Sequence, residues 1–159
     1  MSQKRRPRRQ GTQKSTVKDP CPADKRRFFN WLAAPLAKMA QEMNTTKELM
    51  FAQAAKEGGW TMGDLDHNQP LNNPFGVNII SHGRAVGNVH YESLDSAIAY
   101  WKQRFGVQIG GTRTPDDFAH RMQHPAHSRP YNTDNPNYER ELSSLYSSVL
   151  KYMKLCGVE

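Results

Sequence analysis

Phe28, Leu32, Leu36, Met39 and Met43 recur at three- and four-residue intervals, the spacing of one face of a helix. That pattern predicts a helix over 24–43, with Pro35 kinking it or splitting it in two. Thr45 with Glu48 three residues on reads as a capping box that opens a second helix through Leu49, Ala52, Gln53 and Lys56, ending near Glu57. Gly58-Gly59 stops it. Residues 61–76 are rich in Gly, Asp, Asn and Pro and read as loop. Val77–Ile80 and Val86–Tyr91 are short strand-like runs around the turn former Ser81-His82-Gly83-Arg84, which predicts a small hairpin. Ser93 caps a helix carrying Leu94, Ala97, Ile98, Trp101 and Phe105, which Gly106 to Gly111 should end. Thr114-Pro115-Asp116-Asp117 is a strong start for a short helix through Phe118 and Met122. The last helix begins at Asn135-Pro136, faces Tyr138, Leu142, Leu145, Val149, Tyr152 and Cys156 inward, and ends at Gly157. The class expected is mainly α (α+β), a helical body with one small β element.

The 159 residues suit one compact domain over 21–159 behind a basic tail over 1–20, and the 36% hydrophobic content suffices for a single core. No stretch approaches the roughly 20 apolar residues of a membrane span. The N-terminus is basic without a following apolar run, so a secretory signal peptide is not expected. Lys4, Arg5, Arg6, Arg8, Arg9, Lys14 and Lys18 account for the whole net charge of +7. Without those seven, the 22 basic residues fall to 15, equal to the 15 acidic ones. The body therefore lacks the basic surplus of a nucleic-acid-binding domain, and nucleic acid is not an expected partner of it. The tail should be disordered, either as a solubilising leader or as an electrostatic contact to a polyanion.

Cys21 and Cys156, the two cysteines, flank nearly the whole folded region. They are either a disulfide tying the ends together in a protein working outside the cytosol, or two ordinary thiols. The second reading is preferred, because spacing alone carries no proximity. His120, His124 and His127 have spacings that place them on one helical side, yet Pro125 interrupts the helix and no cysteine or acid pair completes a zinc set. No metal and no cofactor is expected. The run from Gly106 to Gly111 lacks the lysine and hydroxyl of a phosphate loop, and no nucleophile-elbow motif is present.

Glu57 is the candidate for chemistry. A carboxyl at a helix C-terminus meets the unfavourable end of the helix dipole, and an apolar neighbour such as Trp60 raises its pKa further. Both effects keep a proton on it near neutral pH, which is what a general acid needs to protonate a glycosidic oxygen. The bland alternative is a solvated surface glutamate.

The segment Leu49-Met50-Phe51-Ala52-Gln53-Ala54-Ala55-Lys56-Glu57-Gly58-Gly59-Trp60 resembles the "AQAAxExGW" stretch of the family 73 glucosaminidases, peptidoglycan hydrolases with a lysozyme-like fold that include flagellar and autolysin enzymes. Asn72-Asn73-Pro74-Phe75-Gly76-Val77-Asn78 resembles the family's "NNLFGIK". His90 to Ile98 resembles its "YxSxxxSI", and Tyr131 to Tyr138 its "YATDPxYA". The four segments follow the family order and cover roughly residues 47–150. The resemblance implies a lysozyme-like domain with a β-hairpin lobe. It makes Glu57 the catalytic acid and Tyr131 the active-site tyrosine beside it. It places Asn73, Phe75 and Gly76 in the wall of a sugar cleft, and Trp60 is read with them as substrate-binding, with a core position as its alternative. For Phe75 a core position is an equal expectation. One feature departs from the family: many members carry a second glutamate in the hairpin lobe, whereas Val77 to His90 contains no acid. Asp64, Asp66 and Glu92 are the nearest by sequence.

The expectation is a peptidoglycan hydrolase, an N-acetylglucosaminidase acting on the cell-wall glycan strand in the periplasm or wall of a target cell. Made without a signal peptide, it would be an exported antibacterial toxin of the type VI secretion kind, with a cognate immunity protein occluding the cleft. A phage-type endolysin, or a non-enzymatic module binding a polyanion through its tail, are the alternatives.

Overall fold

The structure is a computed structural model that describes residues 17–60, 72–126 and 135–159. Among the described residues five helices and one hairpin follow in chain order: α1 (Ala23–Glu42), α2 (Lys47–Gly58), β1 (Asn78–Ser81), β2 (Arg84–Asn88), α3 (Leu94–Ile109), α4 (Pro115–Gln123) and α5 (Tyr138–Cys156). Among the described residues no helix is long and apolar enough to cross a membrane.

The architecture is built around α2. Every residue from Leu49 to Ala55 is buried, so this helix has no solvent face over two turns. Alanines at 52, 54 and 55 let neighbours approach closely, and α1 and α5 pack on it from two sides. The inward face of α1 (Phe28, Leu32, Leu36, Met39, Met43) is buried as its spacing predicts. Pro35 does not divide that helix, which runs as one element through it. The opposite end of the core is closed by α3, where Trp101 and Ile109 are fully buried.

Local signals place most ends correctly. Ser93 Oγ accepts from the Ser96 amide at 3.1 Å, and Thr114 Oγ1 from the Asp117 amide at 3.2 Å. Gly157 takes the left-handed conformation after α5. One expectation needs correction. The cap of α2 is Thr46, whose hydroxyl faces the Leu49 amide at 3.4 Å. Thr45 is diverted instead to Thr112 Oγ1 at 2.7 Å. As expected, α3 ends within the 106–111 run, at Ile109 before Gly110, after passing through Gly106. A side chain there would crowd Met43, so the glycine serves packing rather than termination.

The hairpin is antiparallel and, among the described residues, pairs only with itself, with partners from Asn78↔Asn88 to Ser81↔Arg84 and an irregularity between Ile79 and Ile80. His82 and Gly83 both have positive φ, the requirement of a tight two-residue hairpin turn.

The ends of the body are joined. Cys21 and Cys156 form a disulfide with Cα atoms 4.7 Å apart, spanning 135 residues. The expectation of two ordinary thiols is overturned, because α1 and α5 lie side by side and bring the two positions together. Arg26 reinforces the junction by donating to the Cys156 carbonyl at 2.8 Å and pairing with Asp19 at 2.8 Å.

Candidate active site

Glu57 lies in the last turn of α2, where the helix emerges from the core. Its side chain is 20% exposed, and Oε1 is buried without a hydrogen-bond partner among the described residues. Burial pushes its carboxyl above the usual carboxylate range. The Lys56 ammonium opposes this, standing 3.5 Å from Oε1 at ion-pair range, and the Glu141 carboxylate adds a smaller upward push. Burial is the larger influence, so the acid retains its proton to higher pH than an exposed glutamate.

Lys56 and Glu141 are residues that sequence reasoning passed over. Lys56 is only 8% exposed and is shared between Glu57 and Glu141 Oε2, 3.3 Å away. Its ammonium also rests 4.7 Å from the centre of the Tyr138 ring. Glu141 is held by Asn135, which donates to Oε2 at 2.8 Å. That bond and Lys56 hold its carboxyl below the usual range. A charge network running from the mostly buried Lys56 to the exposed Glu141 thus links α2 to α5 directly beside the candidate acid. Nothing periodic relates position 141 to 56 or 57, so only the packing of α5 on α2 reveals it. Tyr138 completes the seam by donating to Gln53 Oε1 at 2.7 Å. Gln53 stands one turn before Glu57 on the same face, and its Nε2 is also buried without a partner among the described residues. A buried donor without a hydrogen bond and a carboxyl oxygen met only by an ammonium therefore lie one turn apart at this end of α2, among the described residues.

The Asn72–Gly76 segment is fastened onto that helix end backbone to backbone. A Cβ on Gly58 would stand 2.4 Å from the Pro74 carbonyl oxygen, and one on Gly76 would stand 2.4 Å from the Glu57 carbonyl oxygen. Two glycines on opposite strands of chain are what permit the contact. Gly76 also has φ +59. Gly76→Ala is expected to destabilise the fold by about 2–4 kcal/mol, combining overpacking with a strained left-handed alanine. Gly58→Ala, free of the φ penalty, should cost less. A denaturant titration checks both, and unchanged midpoints would contradict the contact.

Asn73 and Phe75 hold this segment from within. The Asn73 amide donates to the Val77 and Val89 carbonyls at 2.9 and 3.0 Å, and its oxygen accepts from the Val77 amide at 2.9 Å. It is 3% exposed and is consumed in tying the hairpin's base to the segment. Phe75, 2% exposed, stacks on Trp101 at 4.9 Å between ring centres. The core position equally expected for Phe75 is the one it occupies.

Trp60 is half-buried among Phe28, Phe29 and Tyr152, with the Lys25 ammonium 4.7 Å above its ring. Tyr131, Asp64, Asp66 and His127 lie outside the described residues. Glu92 is exposed, before the start of α3. A hollow of about 490 Å³ adjoins the Lys56–Glu141 pair, lined also by Arg140, Ser144 and Leu145. Another of about 510 Å³, between α3 and the end of α4, is lined by Arg104, Val107, Gln108, Arg121 and His124 among others and contains no acid.

Solved structures match this arrangement over most of its length. A peptidoglycan hydrolase from Sphingomonas sp. A1 superposes with a TM-score of 0.67 at 19% identity, covering 84% of this chain and 96% of the other. The chain shares the lysozyme-like fold of these hydrolases. A chain from a type VI secretion system effector–immunity complex of Pseudomonas protegens follows at TM-score 0.65 and 18% identity, covering 86% and 99%. The C-terminally truncated glycoside hydrolase domain of Salmonella typhimurium FlgJ gives 0.61 at 20%, covering 80% and 98%. No family model and no curated protein sequence matches this chain.

Proposed function

We propose that this protein is a peptidoglycan glycoside hydrolase, an N-acetylglucosaminidase in which Glu57 is the general acid. The observation that carries the reading is a carboxyl at the mouth of the core that burial holds above the usual carboxylate range, its buried Oε1 facing only the Lys56 ammonium among the described residues. Protonated Glu57 delivers its proton to the glycosidic oxygen as the anomeric C–O bond breaks, and positive charge builds on the sugar ring. The hairpin carries no acid. Attack on the anomeric carbon then falls to the substrate's own 2-acetamido oxygen or to a water held by Tyr131. Acetamido participation retains the anomeric configuration and direct attack by water inverts it. Trp60 and Gly76 are the proposed contacts to the glycan, and Asn73 and Phe75 set their wall.

The setting proposed is the periplasm or wall of a target bacterium, reached as an exported antibacterial toxin with an immunity protein covering the cleft. The fold shared with a chain of an effector–immunity complex supports this, and so does a disulfide, which persists in oxidising compartments. Residues 1–20 are proposed as an accessory basic tail.

Digestion of purified sacculi, followed by borohydride reduction and mass spectrometry of the fragments, tests the reaction. Reduced N-acetylglucosamine ends are expected. Reduced N-acetylmuramic acid ends would replace the glucosaminidase by a muramidase, and no new ends would end the hydrolase reading.

A further inference from the structure

His120 and His124, one turn apart at the end of α4, stack their rings 4.3 Å apart at 25°. Glu139, from the first turn of α5, completes a group whose ligand atoms all lie within 4.8 Å of one another. All three side chains are exposed. The acid that the sequence did not supply beside these histidines comes from a different helix. We propose that His120, His124 and Glu139 form a binding site for a divalent transition ion of zinc's class, bridging α4 to α5.

Three features support it. Two histidines at i and i+4 on one helical face are the spacing that lets both rings reach one ion. The Nδ1 of His124 lies 3.0 Å from the His120 carbonyl oxygen, to which it donates. That bond sets the tautomer and leaves Nε2 as the free lone pair, the orientation that a backbone carbonyl gives a metal-ligating histidine. The donor set of two imidazoles and one carboxylate suits zinc and its neighbours and not calcium or magnesium, which prefer oxygen alone. Ligand atoms around a tetrahedral zinc lie about 3.4 Å apart, so exposed side chains starting within 4.8 Å close by small rotations.

The site is separate from the proposed catalytic centre. Glu139 and Glu141 are two residues apart on α5, about 200° around its axis. Glu141 meets Lys56 while Glu139 meets the histidines. The ion would staple the end of α4 to the start of α5. Besides their apolar packing, these helices are joined near the other end of α4 by Ser143 donating to Asp116 at 3.1 Å. The role is structural, with three protein ligands and water filling the coordination.

The test uses the full chain without an affinity tag, stripped with a chelator and titrated calorimetrically with zinc chloride. One ion per chain is expected, together with a rise in Tm of about 5–10 °C at free zinc 100 times Kd. Cobalt(II) should give the intense visible absorption of a low-coordinate nitrogen–oxygen site. Glu139→Gln removes an exposed carboxylate and should weaken binding at least about 10-fold. The double variant His120→Gln with His124→Gln should abolish the one-to-one site. Binding weaker than about 0.1 mM in the wild-type chain would overturn the proposal. So would wild-type affinity in either variant, which would show an adventitious ion only. Sugar release from sacculi does not enter these readouts, so failure of the metal site and failure of the hydrolase reading are told apart.

Discussion

Glu57→Gln is expected to lower sugar release from sacculi by a factor of about 10²–10⁴, the range a positioned general acid supplies, while the fold survives. Glutamine keeps the shape and loses the transferable proton. The stability of the same variant provides a second, opposite-signed readout. The folded Glu57 carboxyl titrates above the ordinary value of 4.5 because burial disfavours its charge. The folded state therefore binds a proton more tightly than the unfolded chain does. At pH below 4.5 both states are protonated, and Glu57 imposes no penalty. As pH rises from there through the raised folded value, the unfolded chain ionises first and stability falls. Glu57→Gln removes that loss, so its Tm should exceed wild type near neutral pH and converge with it in acid. Activity should fall on the alkaline side as Glu57 loses its proton. Lys56→Met deletes the ammonium that pulls this pKa down, and should move the alkaline limb to higher pH. Unchanged activity in Glu57→Gln, or an alkaline limb that ignores Lys56, would sink the site assignment.

Replacing Cys21 and Cys156 together by serine is expected to destabilise the protein by about 3–5 kcal/mol. The cross-link closes a loop of 135 residues, and chain entropy predicts about 5 kcal/mol for a loop of that size, with measured losses usually 2–5. For a chain of this length the loss corresponds to a fall in Tm of roughly 10 °C. Reduction of the wild-type protein should produce the same fall, since both treatments release the same constraint. Arg26 retains its bond to the Cys156 carbonyl in the variant and softens the loss. A Tm within about 1 °C of wild type for both would mean that the helix ends are held without the cross-link. Because Trp60 packs on Phe28 and Tyr152, near the two joined ends, the reduced protein is also expected to lose tryptophan protection from solvent quenchers before it loses helicity.

The helices were legible because their signals are local. Caps at Ser93 and Thr114 and the glycine after α5 act on backbone groups within a few residues, so the chain states them directly. The misplaced cap has a distant cause. Thr45 is as good a cap as Thr46 by type, and Thr112 decides between them from 67 residues away. Gly106 breaks helices by propensity, but its lack of a side chain is needed against Met43. Residue types marked Glu57 as an acid in a suitable place, and four short segments in order marked the fold.

By itself the sequence determined most helix ends, which faces the helices bury, and that a carboxyl would stand at the end of the second one. Periodicity and capping are interactions between near neighbours, which order along the chain is enough to specify. Only the tertiary structure decided what surrounds that carboxyl. The charge network through Lys56 and Glu141, the glycine contacts between α2 and Asn72–Gly76, the joined cysteines and the meeting of Glu139 with two histidines all depend on positions far apart in the chain. Their proximity is set by the packing of α1, α4 and α5 around α2, and no single segment encodes it.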